Sequence, residues 1–216
     1  MTRRERVAEN LNRALRALLD EDPCAYVIGE DIADPYGGAF KITAGLSGRH
    51  PERVLSAPLS EGGFTGFGAG LALAGNRVIV EVMFGDFAAL AFDQLLNFAS
   101  KSVTMYGRTV PVKMVMRCPS GGNRAYGPTH SQSLQKHFIG IPGLYLYELS
   151  PFHDNQGVLA SMLERGHPAM LFEDKVLYTQ QMYADGVVDD LFRFEACDGP
   201  DPAVRVFGEE IGRAHV

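Results

Sequence analysis

The sequence predicts an α/β fold: a mostly parallel central sheet with helices on both faces. Three observations carry that expectation. Short apolar runs alternate with helical stretches along most of the chain. A chain of 216 residues with 46% hydrophobic side chains is long enough for one large core. No internal repeat breaks the order into smaller units.

Val7, Leu11, Ala14, Leu15 and Leu18 recur at helical spacing with charges opposite, which predicts a first amphipathic helix. The DEDP segment at 20–23 stops it, because the residue before a proline avoids helical geometry. AYVI at 25–28 reads as a buried strand ending at Gly29-Glu30-Asp31, and 53–59 reads as a second strand. The stretch 62–75, rich in Gly and Ala, is a poor surface helix. It makes sense as a buried helix that another backbone or a ligand approaches closely. RVIVEVMF at 77–84 is a strand. The segment 86–105 is a long helix with Phe87, Leu90, Ala91, Leu95 and Phe98 on its apolar stripe. TVPVKMVM at 109–116 is another strand, followed by the glycine-rich loop PSGGNRAYGPTHSQS. Strands at 144–149 and 169–172 flank a helix at 155–165. After Tyr178 the pattern fades into polar sequence. The expected division is therefore a domain over 1–180 and, over 181–216, a tail or remnant leading to an absent C-terminal domain.

With 26 acidic and 20 basic residues the formal net charge is −6. That argues against nucleic acid, which needs a basic surplus on one face. Three cysteines without a CxxC argue against a disulfide framework or a structural zinc site. No run approaches the ~18 apolar residues of a membrane span. The mixed-charge start is not a secretory signal, so the expectation is a cytoplasmic protein.

In an open parallel sheet, ligands bind beyond the carboxyl ends of the strands. The residues expected there are Glu30 and Asp31, then Ser60-Glu61-Gly62-Gly63, then Gly85-Asp86-Phe87, then Arg117 and the loop carrying His130. Two readings of Glu61 stay open on spacing. It is a first-turn acid favoured by the helix dipole, or a carboxylate in a dry site that holds or shares a proton. His130 is a proton donor or a loop histidine bonded to backbone. Phe87 is a core residue or a stacking platform. His50, His137, His153, His167 and His215 show no metal-ligand spacing, and no metal site is expected. Ser131 and Ser133 lack a GxSxG context. There is no GxxxxGK[ST] loop, and GFGAG at 66–70 is only a fragment of GxGxxG.

Six ordered segments resemble one family: 29–46 (GEDIADPYGGAFKITAGL), 55–75 (LSAPLSEGGFTGFGAGLALAG), 80–101 (VEVMFGDFAALAFDQLLNFASK), 129–133 (THSQS), 141–144 (IPGL) and 167–178 (HPAMLFEDKVLY). They are similar to the β subunit of thiamine-diphosphate-dependent 2-oxo acid dehydrogenases of the pyruvate, branched-chain and acetoin types. The matched part is the transketolase-like, pyrimidine-binding domain, from about Val7 to Tyr178. The resemblance implies that Glu61 hydrogen-bonds N1′ of the cofactor's aminopyrimidine and so prepares the ring to take the thiazolium C2 proton. It implies that Phe87 packs against the pyrimidine, that His130 assists acyl transfer to a lipoyl arm, and that Glu30 is an acid near the cofactor. The implied activity is oxidative decarboxylation of a 2-oxo acid with acyl transfer to a lipoyl group.

The resemblance also implies a partner. In that family Mg²⁺ and the diphosphate are held by a GDG…N motif on the α subunit. This chain has no such motif, GPDP at 199–202 included. An α subunit in an α₂β₂ arrangement is therefore implied, and a second copy of this chain and a lipoyl-bearing acyltransferase are further candidates. Some relatives hold K⁺ through backbone carbonyls, which leaves no side-chain signature. Three departures stand out. Leu90 replaces a Gln common in pyruvate-type members, 144–152 is longer than usual, and the family's C-terminal domain is missing. Two alternatives follow: a split transketolase-like protein passing an acyl or ketol unit to another acceptor, and a non-catalytic partner that kept the fold.

Overall fold

The computed structural model describes residues 5–183, 185–197 and 203–208. The expectations that concern GPDP at 199–202 and His215 lie outside the described residues. Helix α1 spans Val7–Glu21; the Glu9 side chain accepts from the Arg6 amide at its start. Val7, Leu11, Ala14, Leu15 and Leu19 form its buried row. Strand β1 (Ala25–Glu30) follows, then a helical turn α2 (Leu46–Arg49) and strand β2 (Val54–Ala57). Helix α3 spans Glu61–Leu73 and strand β3 Arg77–Glu81. A short helical segment α4 (Ser100–Ser102) ends a longer helical run and precedes strand β4 (Met114–Ser120). The turn α5 (Gln135–Phe138), strand β5 (Tyr145–Glu148), helix α6 (Asn155–Glu164) and strand β6 (Ala169–Asp174) complete the layers.

The six strands form one parallel sheet in the order β2-β1-β3-β4-β6-β5. Alternate residues of each strand face opposite ways, so the sheet has two cores. On one side Val27, Ile79, Val115 and Leu171 pack with α1 and α6. On the other, Ile28, Val80, Met116 and Phe172 pack with α3 and the helical run after β3. Helices thus cover both faces, as expected. Both edge strands, β2 and β5, are only four residues long, which limits unpaired edge.

Three elements differ from expectation. The helix expected over 86–105 is a helical run of changing pitch: 3₁₀ over Gly85–Ala91, π over Gln94–Ala99 and then α4. Its buried row is Ala88, Ala91, Leu95 and Ala99. Leu90, expected on the apolar stripe, is 64% exposed because the 3₁₀ pitch rotates it outward. Strand β4 starts five residues later than expected, beyond Pro111, and runs on through Arg117 to Ser120. Arg117 therefore sits within the sheet and not beyond its end. Finally, an antiparallel hairpin, β7 (Phe192–Cys197) and β8 (Ala203–Gly208), stands where only a polar tail was expected. Its Phe192, Phe194, Val204 and Val206 alternate with polar residues, a strand signal in a short span.

Candidate functional site

The chain moves from β1 outward to β2 and returns to β3 on the other side of β1. That reversal makes a crevice at the carboxyl ends of β1 and β3. Gly29 permits the close pairing below it. A Cβ there would lie 2.5 Å from the Glu81 carbonyl oxygen.

Glu30 ends β1, and Glu61 opens α3 behind Ser60, whose side chain makes no capping bond. Glu61 is only 8% exposed. No side-chain hydrogen bond reaches it among the described residues. It stands in the first turn of α3, as the helix-dipole reading expects, and its side chain is largely covered there. Glu30 lies close enough to feel it. Burial raises the Glu30 carboxyl above the ordinary range, and the charges of Asp31 and Glu61 add to that. Gly62 lets the next element come in: a Cβ there would be 3.1 Å from the Leu90 carbonyl. Helix α3, which Glu61 opens, is thereby set against the helical run that carries Phe87.

Phe87 and His130 meet directly. Their rings are edge-to-face with centroids 5.2 Å apart. Phe84 packs edge-on to both, 5.8 Å from Phe87 and 4.7 Å from His130. Tyr126 and Phe40 extend this aromatic group, 5.4 Å and 6.4 Å from Phe84. The His130 Nδ1 lies 2.9 Å from the Thr129 hydroxyl. A cavity of about 330 Å³ opens among Tyr36, Phe40, Met83, Phe84 and Tyr126. A second, of about 420 Å³, lies beside Ser60, Gly63 and Phe67 on the helix that carries Glu61. The structure therefore gathers the four expected residues as two neighbouring pairs, Glu30 with Glu61 and Phe87 with His130.

Two groups escaped the sequence reading. Arg117 is fully buried at mid-sheet and binds Glu173 through two parallel bonds of 2.7 Å. It also pairs with Glu81, whose other oxygen accepts from the Ala39 amide at 2.7 Å. The Tyr178 hydroxyl donates to Glu173 at 2.5 Å. Burial lifts Glu81 against the pull of Arg117 and raises Tyr178 well above its usual value. The signal was present: a charged residue interrupts the apolar runs of β3 and β4, and another ends that of β6. The second group is Lys175, buried beside Phe84. It stands one residue beyond β6.

Residues 6–181 match the family described as "Transketolase, pyrimidine binding domain". The chain belongs to the transketolase pyrimidine-binding domain family. Subunits of larger enzymes resemble it. It is 33% identical over 217 residues to the pyruvate dehydrogenase E1 component subunit beta-1, mitochondrial, of Oryza sativa subsp. japonica, covering 96% of this chain and 58% of that one. It is 39% identical over 172 residues to the 2-oxoisovalerate dehydrogenase subunit beta 2, mitochondrial, of Arabidopsis thaliana, covering 79% and 48%. The chain thus spans about half the length of these curated relatives. A solved structure titled "Split gene transketolase, inactive beta4 tetramer" superposes with a TM-score of 0.60 at 18% identity, over 88% of this chain and 58% of that one. That likeness supports the fold alone.

The comparisons correct one expectation. Both named relatives are mitochondrial, which overturns the cytoplasmic assignment. Charge balance and apolarity describe a folded domain, and compartment is specified by separate address signals. No helix among the described residues is long and apolar enough to cross a membrane.

As a pyrimidine-binding domain, the site fits half of thiamine diphosphate. A buried carboxylate with no hydrogen-bond partner among the described residues can meet a ring nitrogen, and Phe87 stands on the helical run whose Leu90 carbonyl approaches Gly62 beside it. The other half fits poorly. Glu30, Asp31 and Glu61 form an acidic rim that would repel a diphosphate. Among the described residues no three of His, Cys, Asp and Glu converge as a metal site.

Proposed function

We propose that this chain is the β component of a thiamine-diphosphate-dependent 2-oxo acid dehydrogenase and contributes the pyrimidine half of the active site. The observation that carries the reading is Glu61: a buried carboxylate with no hydrogen bond from any described residue, at the head of α3 and close to Glu30 at the end of β1. Similarity to pyruvate and 2-oxoisovalerate dehydrogenase β subunits supports the substrate class, a 2-oxo acid. Thiamine diphosphate, when bound, supplies the electron sink for loss of CO₂.

Each residue then has a task. Glu61 shares a proton with the ring nitrogen N1′ in a dry site, where one charge-assisted bond counts for most. Phe87 packs the pyrimidine face. Glu30, its carboxyl raised by burial, keeps a second acid beside Glu61. His130, packed edge-on against the Phe84 and Phe87 rings, serves the later transfer of the acyl group to a lipoyl arm. An α subunit holds the diphosphate and its Mg²⁺, because this chain's rim is acidic. The division near residue 180 belongs to the same reading: β7 and β8 form a sheet of their own, apart from the central one.

The test is reconstitution. The β chain and its α partner are supplied with thiamine diphosphate and Mg²⁺ and assayed with pyruvate and with 2-oxoisovalerate. Decarboxylation is expected only with both chains present. Turnover by the β chain alone, or full turnover after Glu61→Ala, would reject the proposal.

A further inference from the structure

The loop 121–134 that carries His130 has little structure of its own. Gly121, Asn123, Ala125 and Gly127 all hold positive φ, between 58° and 87°. Its base is closed by one backbone bond, from the Gly121 amide to the Gln132 carbonyl at 3.2 Å. Asp86 adds a clamp, its Oδ1 accepting from the Gln132 amide at 3.2 Å and from the Gln132 side chain at 2.9 Å. Something else has to fix His130, two residues nearer the tip.

Lys175 lies one residue beyond β6 and is 0% exposed. Burying an ammonium is costly unless its donors are used. Its Nζ donates to the carbonyl oxygen of His130 at 2.6 Å. The same nitrogen stands 5.0 Å from the Phe84 ring centre and 5.6 Å from that of Tyr126, within cation–π range. Its backbone is engaged as well. The Lys175 amide donates to the Ser120 carbonyl at 3.1 Å, and its own carbonyl accepts from Arg124 Nη2 at 2.7 Å. One residue therefore grips the outgoing arm of the loop and the returning arm together. Phe84 links the grip to the imidazole, because the ring over which Lys175 sits is the ring against which His130 packs at 4.7 Å.

We propose that Lys175 is the positioning residue for His130, holding its carbonyl by a charge-assisted hydrogen bond and its ring through Phe84, so that the imidazole is fixed for acyl transfer. The proposal rests on the reading of His130 given above. Burial lowers the Lys175 pKa while Asp86 and Asp174 raise it. Either protonation state keeps a hydrogen for the carbonyl.

The experiment separates two half-reactions in the complete α–β complex with thiamine diphosphate and Mg²⁺. Decarboxylation of pyruvate or 2-oxoisovalerate is read with ferricyanide as oxidant. Acyl transfer is read as acylation of an isolated lipoyl domain. Four proteins are compared: wild type, His130→Ala, Lys175→Met and the double variant. Lys175→Met is expected to slow acylation by about 10²-fold, the scale of misplacing a reacting group, with ferricyanide turnover retained. In the His130→Ala background it should add no further loss. Equal losses in both half-reactions, or additive losses in the double variant, would overturn the role of Lys175 and leave that of His130 standing. If His130→Ala itself spares acylation, the reading of His130 fails first and this inference falls with it. Should Lys175→Met not fold, Lys175→Gln takes its place in the same cycle, and the same losses support or overturn the role of Lys175.

Discussion

Glu61 and Glu30 show how far a residue's chemistry depends on a few ångströms of surroundings. Both are acids at one end of one sheet, yet Glu61 is 8% exposed while Glu30 is only partly covered. Glu61→Ala removes an acceptor that no described residue uses. Turnover of the reconstituted complex is expected to fall by about 10²–10⁴-fold, the scale of a positioned acid or base. The melting temperature should hold, since no internal bond is lost; a collapse of the melt would instead mark Glu61 as structural. For Glu30 the raised carboxyl sets the sign. A carboxyl whose folded pKa is raised favours folding fully below its unfolded value, and that benefit is lost as pH rises through the folded one. Glu30→Gln never ionises, so it should match wild type in acid and exceed it in stability near neutrality. Thermal midpoints between about pH 4 and pH 8 read this directly, and a Gln variant less stable at neutral pH would contradict it. The sequence placed both acids at the right edge because strand ends are legible from where apolar runs stop. It could not rank them, because coverage depends on residues such as Leu90, whose carbonyl closes on Gly62 from another element.

At the scale of elements, the helices and strands with clean periodicity came out where expected: α1, β1, α3, α6 and β6 all lie within a few residues of their sequence spans. β4 did not, because Arg117 looks like the polar end of a strand. In the sheet its charge is answered from both sides, by Glu81 on β3 and Glu173 on β6. No local pattern announces a partner so far away in sequence. The ladder ties three strands and, through the Ala39 amide, the loop that carries Phe40. Arg117→Met should leave two carboxylates buried without a cation. The expected cost is about 3–5 kcal/mol, read as a lowered denaturant midpoint with unchanged slope. Gly29 is the neighbouring test of packing. Its missing side chain faces the Glu81 carbonyl at 2.5 Å, a backbone atom that cannot rotate away. Gly29→Ala is expected to cost about 1–3 kcal/mol in the same assay. A smaller loss would mean that β1 and β3 can part without disturbing the sheet.

For the whole molecule, the decisive property is the sign of charge around the crevice. The net charge is −6, and Glu30, Asp31 and Glu61 concentrate acid where β1 and α3 meet. Such a rim welcomes a ring nitrogen that can share a proton and repels a diphosphate carrying charge of its own sign. A family whose ligand has one neutral and one anionic end can be served by two chains, each complementary to one end. The family match over 6–181 covers the central sheet, and on our proposal that sheet serves the neutral end alone. Ligand that binds only a folded complex stabilises that complex by mass action, by about 2.7 kcal/mol at a hundredfold excess over Kd. Thiamine diphosphate with Mg²⁺ should therefore raise the melting temperature of the α–β mixture and leave the β chain alone unmoved. Free thiamine, which lacks the diphosphate, sharpens the comparison. If the acidic rim is what excludes the diphosphate, the β chain should tolerate thiamine at least as well as thiamine diphosphate. A β chain stabilised by thiamine diphosphate and Mg²⁺ without any partner would show that cations elsewhere in it complete the site, and the division of labour between two chains would have to be abandoned.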